Sequence, residues 1–242
     1  MKQTAKLKTL VLSMAVAGSS LAVLAPASVQ AGVTGNVGVV SDYIFRGIPQ
    51  NGTSAAAQGG IDYESDSGLY AGVWGSNVGP NAGLEYDLYG GWGGEFSGVS
   101  LGAGFTLYNY TKDSSSDTNA FDTSYTEFNF SAAYDMFTLT YDMGSHAKAA
   151  ADDSDLDYSV ITASVEYSGM YALYGMGSDF AGEDTDHTWF ELGYGTEIAP
   201  GTDISFALIN SSEEVGAYTN GDGDDTSTMN MVVGITKSFD LM

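Results

Sequence analysis

The sequence predicts an all-β fold: a transmembrane antiparallel up-and-down β-barrel of about twelve strands, preceded by a cleaved signal peptide. Three observations carry that expectation. The chain opens on an export signal, the mature chain alternates apolar and polar residues in segments of about ten, and the connections between segments are alternately long and short.

The export signal comes first in the chain. Lys2, Lys6 and Lys8 form a positive stretch ahead of an apolar, small-residue run from Leu10 to Leu24, and Val29-Gln30-Ala31 offers a small-residue cleavage site. Cleavage is expected after Ala31 in preference to Ala25-Pro26-Ala27, which leaves residues 32–242 as one barrel domain. The apolar run is short for a spanning helix, and nothing downstream reads as a stop-transfer pattern, so a retained N-terminal anchor is the weaker reading.

Composition bounds the partners. The chain has 7 Lys+Arg against 31 Asp+Glu, and the leader holds three of the basic residues and none of the acidic ones. So acidic a mature chain repels nucleic acid. It has no cysteine, which removes both disulfide stapling and thiol catalysis. Its 32 glycines disfavour helices, while 16 Tyr, 11 Phe and 3 Trp suit strands. No mature segment reaches the ~18 consecutive apolar residues of a spanning helix, so membrane residence has to come from strands.

The strands are expected at 36–46, 55–64, 69–77, 84–93, 99–110, 125–134, 137–143, 158–167, 171–178, 188–196, 203–210 and 229–239. Their period is two. Leu84, Tyr86, Leu88, Gly90 and Trp92 alternate with Glu85, Asp87, Tyr89 and Gly91, which assigns the first set to lipid and the second to the lumen. Phe128, Phe130, Ala132 and Tyr134 alternate with Glu127, Asn129, Ser131 and Ala133; Ile161, Ala163, Val165 and Tyr167 alternate with Thr162, Ser164 and Glu166. The last strand alternates through Met231, Val233, Ile235, Lys237 and Phe239, with Lys237 able to reach the membrane interface if it points outward near the strand end.

Short turns are expected at Ser65-Asp66-Ser67-Gly68, Gly94 to Gly98, Asp135-Met136, Ser168-Gly169-Met170 and Glu197 to Thr202. Long polar loops are expected near 47–54, 78–83, 111–124, 144–157, 179–187 and 211–228. Short turns belong on the periplasmic side of an outer-membrane barrel, which places both termini there. Tyr63, Trp92, Phe96, Tyr134, Phe137, Tyr167 and Tyr171 border the short turns and are expected at that bilayer edge. An aromatic-rich soluble β-sandwich would leave the loop alternation without a cause.

The inward sets contain Asp42, Asp62, Glu85, Asp87, Glu127, Asp142, Glu166 and Glu191, with Arg46 as the single barrel-wall arginine. These are the candidate pore-lining residues. A hydrated lumen so charged attracts cations and repels anions; in a narrow dry barrel the same carboxyls would instead be protonated and hydrogen-bonded as a polar plug. Asp42 and Arg46 lie four residues apart and are expected on one face of the first strand, to bridge strands or constrict the pore. Gly47 and Pro49 then mark the exit into a loop. Val40 and Ile44 share the supposed inward face, an imperfect parity that allows a bulge.

At this stretch the chain resembles a known family. Ser41-Asp42-Tyr43-Ile44-Phe45-Arg46-Gly47-Ile48-Pro49-Gln50 is similar to the Ser-Asp-Tyr-x-Phe-Arg-Gly-x-x-Gln element that follows the signal peptide in TorF-type porins, also described as Gcw_chp outer-membrane proteins. The likeness continues through Gly59-Gly60-Ile61-Asp62-Tyr63, Gly72-Val73-Trp74-Gly75-Ser76-Asn77 and Glu85-Tyr86-Asp87-Leu88-Tyr89-Gly90-Gly91, then becomes general barrel similarity. It implies an outer-membrane location and a porin role. The chain departs from the common pattern of a final aromatic, ending Phe239-Asp240-Leu241-Met242.

No catalytic centre, cofactor or dedicated metal site is expected. His146 and His187 both fall in expected loops, away from any strand-held serine. The acidic runs from Asp152 to Asp157 and from Asp222 to Asp225 have hard oxygen ligands but do not complete a calcium-loop pattern. Expected partners are outer-membrane lipid and lipopolysaccharide, small-molecule solutes and the barrel-assembly machinery. The function expected is passive diffusion of small hydrophilic solutes, cations or zwitterions favoured; the alternative is a closed barrel serving as a membrane anchor or surface-interaction protein.

Overall fold

A computed structural model describes residues 31–52, 54–79, 82–112, 124–146, 155–180, 184–212 and 229–242. The expected signal peptide therefore lies, apart from Ala31, outside the described residues. Twelve strands form the wall: β1 (Gly32–Val40), β4 (Ala56–Glu64), β5 (Leu69–Asn77), β6 (Leu84–Phe96), β7 (Val99–Tyr110), β8 (Tyr125–Tyr134), β9 (Phe137–His146), β10 (Leu156–Tyr167), β11 (Met170–Ser178), β12 (His187–Ala199), β13 (Thr202–Ser211) and β14 (Met229–Asp240). A hairpin of β2 (Ile44–Phe45) and β3 (Ile48–Pro49) stands apart from the wall.

Each wall strand pairs antiparallel with its neighbours in sequence, and β1 pairs with both β4 and β14. The seam runs from Thr34↔Asp240 to Val40↔Gly234. Leu241 N–H extends it past β14 by donating to Val33 O at 2.8 Å. Closure leaves no unpaired strand edge, the condition for holding a sheet in hydrocarbon.

The two-residue period sorts the side chains as expected. Leu84, Leu88, Phe105, Phe128, Phe130, Leu139, Ile161, Phe190, Leu192, Phe206 and Ile235 are all exposed on the outer wall, a belt of the kind that lipid covers. Lys237 also points outward, and its Nζ donates to Pro200 O at 2.5 Å near the strand end.

Turn chemistry sets the short connections. Ser97-Gly98 and Ser168-Gly169 have both residues at positive φ (52° and 84°; 56° and 82°), the two-residue geometry whose twist matches flanking strands. These turns and both described termini share one end of the barrel, the turn end; the long connections share the other, the loop end. Tyr63, Trp92, Phe96, Tyr134, Phe137 and Tyr167 ring the outer wall at the turn end. Tyr171 does not: it is buried, pointing inward, because β11 begins at Met170 and its parity puts Met170 outside.

Inward rings are seated on glycines. Tyr70 faces Gly91 across strands, Tyr89 faces Gly72, Tyr158 faces Gly144, Trp189 faces Gly175, His187 faces Gly177 and Tyr171 faces Gly193. A Cβ built on any of those glycines collides with the opposing ring. Aromatic side chains therefore lie flat along the wall, filling space that a second side chain would need.

The first strand departs from expectation. It runs over 32–40 rather than 36–46, and no bulge carries it onward. Ser41 N–H still donates to Val233 O and Ser41 Oγ accepts from Val233 N–H, at 2.8 and 2.9 Å; from there the chain turns into the lumen. The parity break between Val40 and Ile44 marks the place where the backbone leaves the sheet.

Candidate functional site within the barrel

Residues 41–52 form an inserted hairpin. Ile44 pairs with Pro49 and Phe45 with Ile48, Gln50 N–H donates to Tyr43 O at 2.7 Å, and Arg46-Gly47 makes the tight turn with φ of 51° and 80°. An arginine in the left-handed region is uncommon and needs its surroundings to hold it there. Arg46 is therefore neither on the barrel wall nor on one strand face with Asp42, as the sequence had suggested. Asp42 sits in the inward bend before β2, buried, with Oδ1 lacking a hydrogen-bond partner.

Wall residues from distant strands grip the turn. Arg46 Nη1 and Nη2 donate to Glu127 Oε2 and Oε1 at 2.6 and 2.9 Å, and Nη2 also donates to Asp142 Oδ2 at 2.9 Å. The guanidinium lies 4.7 Å from the Phe45 ring centre and 4.8 Å from that of Phe180. Glu127 accepts further bonds from Asn129 Nδ2 (2.6 Å), Tyr158 Oη (2.8 Å) and Tyr108 Oη (3.3 Å), and Asn129 Nδ2 also reaches Asp142 Oδ1 at 3.0 Å. Such two-pronged, charge-assisted pairing fixes the orientation of both groups.

The opposite wall holds the turn's backbone. Ser211 Oγ donates to Gly47 O at 2.8 Å, and His187 Nε2 lies 3.1 Å from Arg46 O. The His187 ring is stacked between Phe180 and Trp189, with ring centres 5.6 and 5.3 Å away. His187 opens β12 instead of lying in a loop. On a third side Tyr43 packs edge-on against Trp74 and donates to Glu85 Oε1 at 3.3 Å.

The interior is thus divided along its axis. Near the loop end every wall strand contributes a buried inward residue, among them Val40, Gln58, Ser76, Glu85, Tyr110 and Glu127. Toward the turn end the inward residues Asn36, Asp62, Tyr70, Ser100, Ser131, Thr138, Ser164 and Glu166 are partly exposed and line a vestibule, although Tyr171, Ser205 and Thr236 in the same half are buried. The hairpin stoppers the loop-end half of the lumen, and the inward side chains of the other half are on the whole more exposed.

The expected pore-lining residues fall into separate groups. Arg46, Glu127 and Asp142 come together in the clamp. Glu85 and Asp87 stand side by side on β6, while Glu191 accepts from Trp189 Nε1 and Tyr171 Oη at 3.2 and 3.4 Å. Asp62 accepts a short bond from Tyr89 Oη within the vestibule, and Glu166 lies near its rim. Strand parity places Asn129 inside and could have added Tyr108, Tyr158 and Trp189 to this set, whereas Ser211 falls in an expected loop. Phe180 lies just past β11 where no periodicity operates, and only the fold brings it to Arg46.

Among the described residues no group of three or more acidic or histidine side chains is placed to hold a metal. Asp155, Leu156 and Asp157 are described, whereas 152–154 and 222–225 lie outside the described residues.

A closed twelve-stranded antiparallel wall with an apolar outer belt and a carboxyl-rich interior is the architecture of a porin-type membrane barrel. The chain belongs to the Gcw_chp family, described as bacterial proteins of unknown function, whose model matches residues 25–239. The KdgM porin is similar in structure, with a TM-score of 0.52 at 9% identity, over 85% of this chain and 99% of that one. A chain solved in work on the in-meso crystallisation of membrane proteins is similar at a TM-score of 0.53 and 10% identity, over 86% and 83% of the two chains. At these identities the likeness is one of fold. Among curated proteins none matches the sequence.

Proposed function

We propose that this chain is an exported, outer-membrane channel of porin type, in agreement with its resemblance to the TorF-type porins, and that the hairpin at 41–52 keeps it shut at rest. Its signal peptide is residues 1–31, its turn end faces the periplasm, and its solutes are small and hydrophilic, with cations or zwitterions preferred.

The observation that carries this reading is the polarity of the stoppered half. Asp42, Glu85, Asp87, Glu127, Asp142 and Glu191 are buried there, with Arg46 clamped among them. A barrel serving as an inert anchor gains nothing from such a core, since apolar side chains of similar volume fill it at equal or lower free energy. A polar interior around a non-covalent hairpin suits a passage that is wetted when the hairpin moves. The carboxyl excess supports the cation preference.

The test is planar-bilayer recording of the wild type beside a variant with residues 43–50 replaced by a short Gly/Ser linker. Rare openings in the wild type and steady, cation-selective conductance in the variant are expected. Silence in both, with the variant correctly folded by heat-modifiable migration, would favour the closed anchor, a reading to which the fully packed loop-end core lends weight.

A further inference from the structure

Glu85 and Asp87 stand two residues apart on the inward face of β6, about 7 Å along the strand. They are 2% and 6% exposed. The other buried wall carboxyls are provided for: Glu127 and Asp142 share Arg46 and Asn129, and Glu191 has Trp189 and Tyr171. Glu85 receives one bond, from Tyr43, and its Oε2 is unpartnered; Asp87 Oδ1 is unpartnered as well.

Two ways of neutralising the pair can be weighed on geometry. A protonated carboxyl becomes a donor and needs an acceptor, and a shared proton needs a carboxyl–carboxylate hydrogen bond. Glu85 Oε2 and Asp87 Oδ1 find neither a donor nor an acceptor among the described residues. A cation needs only oxygen atoms facing a common space. Here the cross-strand neighbours of Glu85 are Ser76 and Tyr110, those of Asp87 are Trp74 and Tyr108, and Tyr43 reaches Glu85 from the hairpin. Carboxylate and hydroxyl oxygens without nitrogen or sulfur are the ligands of hard ions.

We propose that Glu85 and Asp87 bind a hard divalent cation of the calcium class, its remaining positions taken by neighbouring hydroxyls and water. The site is held between β6 and the hairpin, so its occupancy ties Tyr43 to the wall. It does not depend on the barrel conducting.

The test uses the folded full barrel in detergent, stripped with a chelator and titrated with terbium, whose luminescence the adjacent tyrosines sensitise. Wild type is expected to bind one more terbium equivalent, displaceable by calcium, than E85Q/D87N, and calcium is expected to raise its unfolding temperature while leaving that of the double variant unchanged. D87N, which keeps the Tyr43–Glu85 bond, is expected to weaken the site at least tenfold and serves if the double variant does not fold. Equal stoichiometry in wild type and E85Q/D87N, or equal affinity in wild type and D87N, with all binding due to loop carboxylates, would overturn the proposal. So would stabilisation by sodium at matched ionic strength equal to that by calcium.

Discussion

Arg46 and Glu127, 81 residues apart in sequence, meet through two parallel N–H···O bonds of 2.6 and 2.9 Å in a site where their side chains are 1% and 0% exposed. The pair joins a hairpin to a wall strand, so its loss has both an energetic and a positional consequence. Arg46→Ala leaves Glu127 and Asp142 buried without their cation and is expected to cost roughly 3–5 kcal/mol in unfolding free energy. Urea titration of the folded barrel in lipid vesicles measures it, and an unchanged midpoint would refute the clamp.

A double-mutant cycle separates the pair from the rest of the network. Arg46→Met and Glu127→Gln are expected to be strongly non-additive, with a coupling of about 1–3 kcal/mol. Additive effects would mean that the two side chains act independently in solution.

The ring-on-glycine pairs give a test of the wall itself. Gly193→Ala sets a methyl group into the Tyr171 ring, and Gly175→Ala does the same to Trp189. Each is expected to destabilise by about 1–3 kcal/mol through overpacking. Combining Gly193→Ala with Tyr171→Ala is expected to cost less than the sum of the two, which thermal unfolding would read.

Outward and inward faces respond oppositely to charge. Leu88 lies mid-strand on the outer face, and Leu88→Arg is expected to cost about 2–4 kcal/mol in a bilayer. Ser164→Arg, on the vestibule face of β10, is expected to be far milder because water reaches it. Equal penalties in refolding titrations would contradict the inside–outside assignment.

The tight turns supply a further prediction. Gly169→Val places a β-branched residue at φ 82° and is expected to cost at least ~1–2 kcal/mol and to slow hairpin formation. Gly169→Asn, which tolerates that region, is expected to recover most of the loss in the same refolding assay.

Eleven of the twelve wall strands, the turns between them and the face that most side chains take, Tyr171 excepted, were legible in the sequence, because a period of two and a turn's demand for positive φ are local properties. Glu85, Asp87, Glu127, Asp142 and Glu191 were placed inside by parity alone. The course of residues 41–50 was not local. Their composition suits a strand, and the break at Val40 and Ile44 permits either a bulge or a departure; the choice rests with Glu127, Asp142, His187 and Ser211, which lie 81 to 164 residues further along the chain. Only barrel closure brings those four together around one guanidinium turn. The wall was thus written in the order of neighbouring residues, whereas the stopper was decided by a buried charge that finds compensation at a single place in the folded ring.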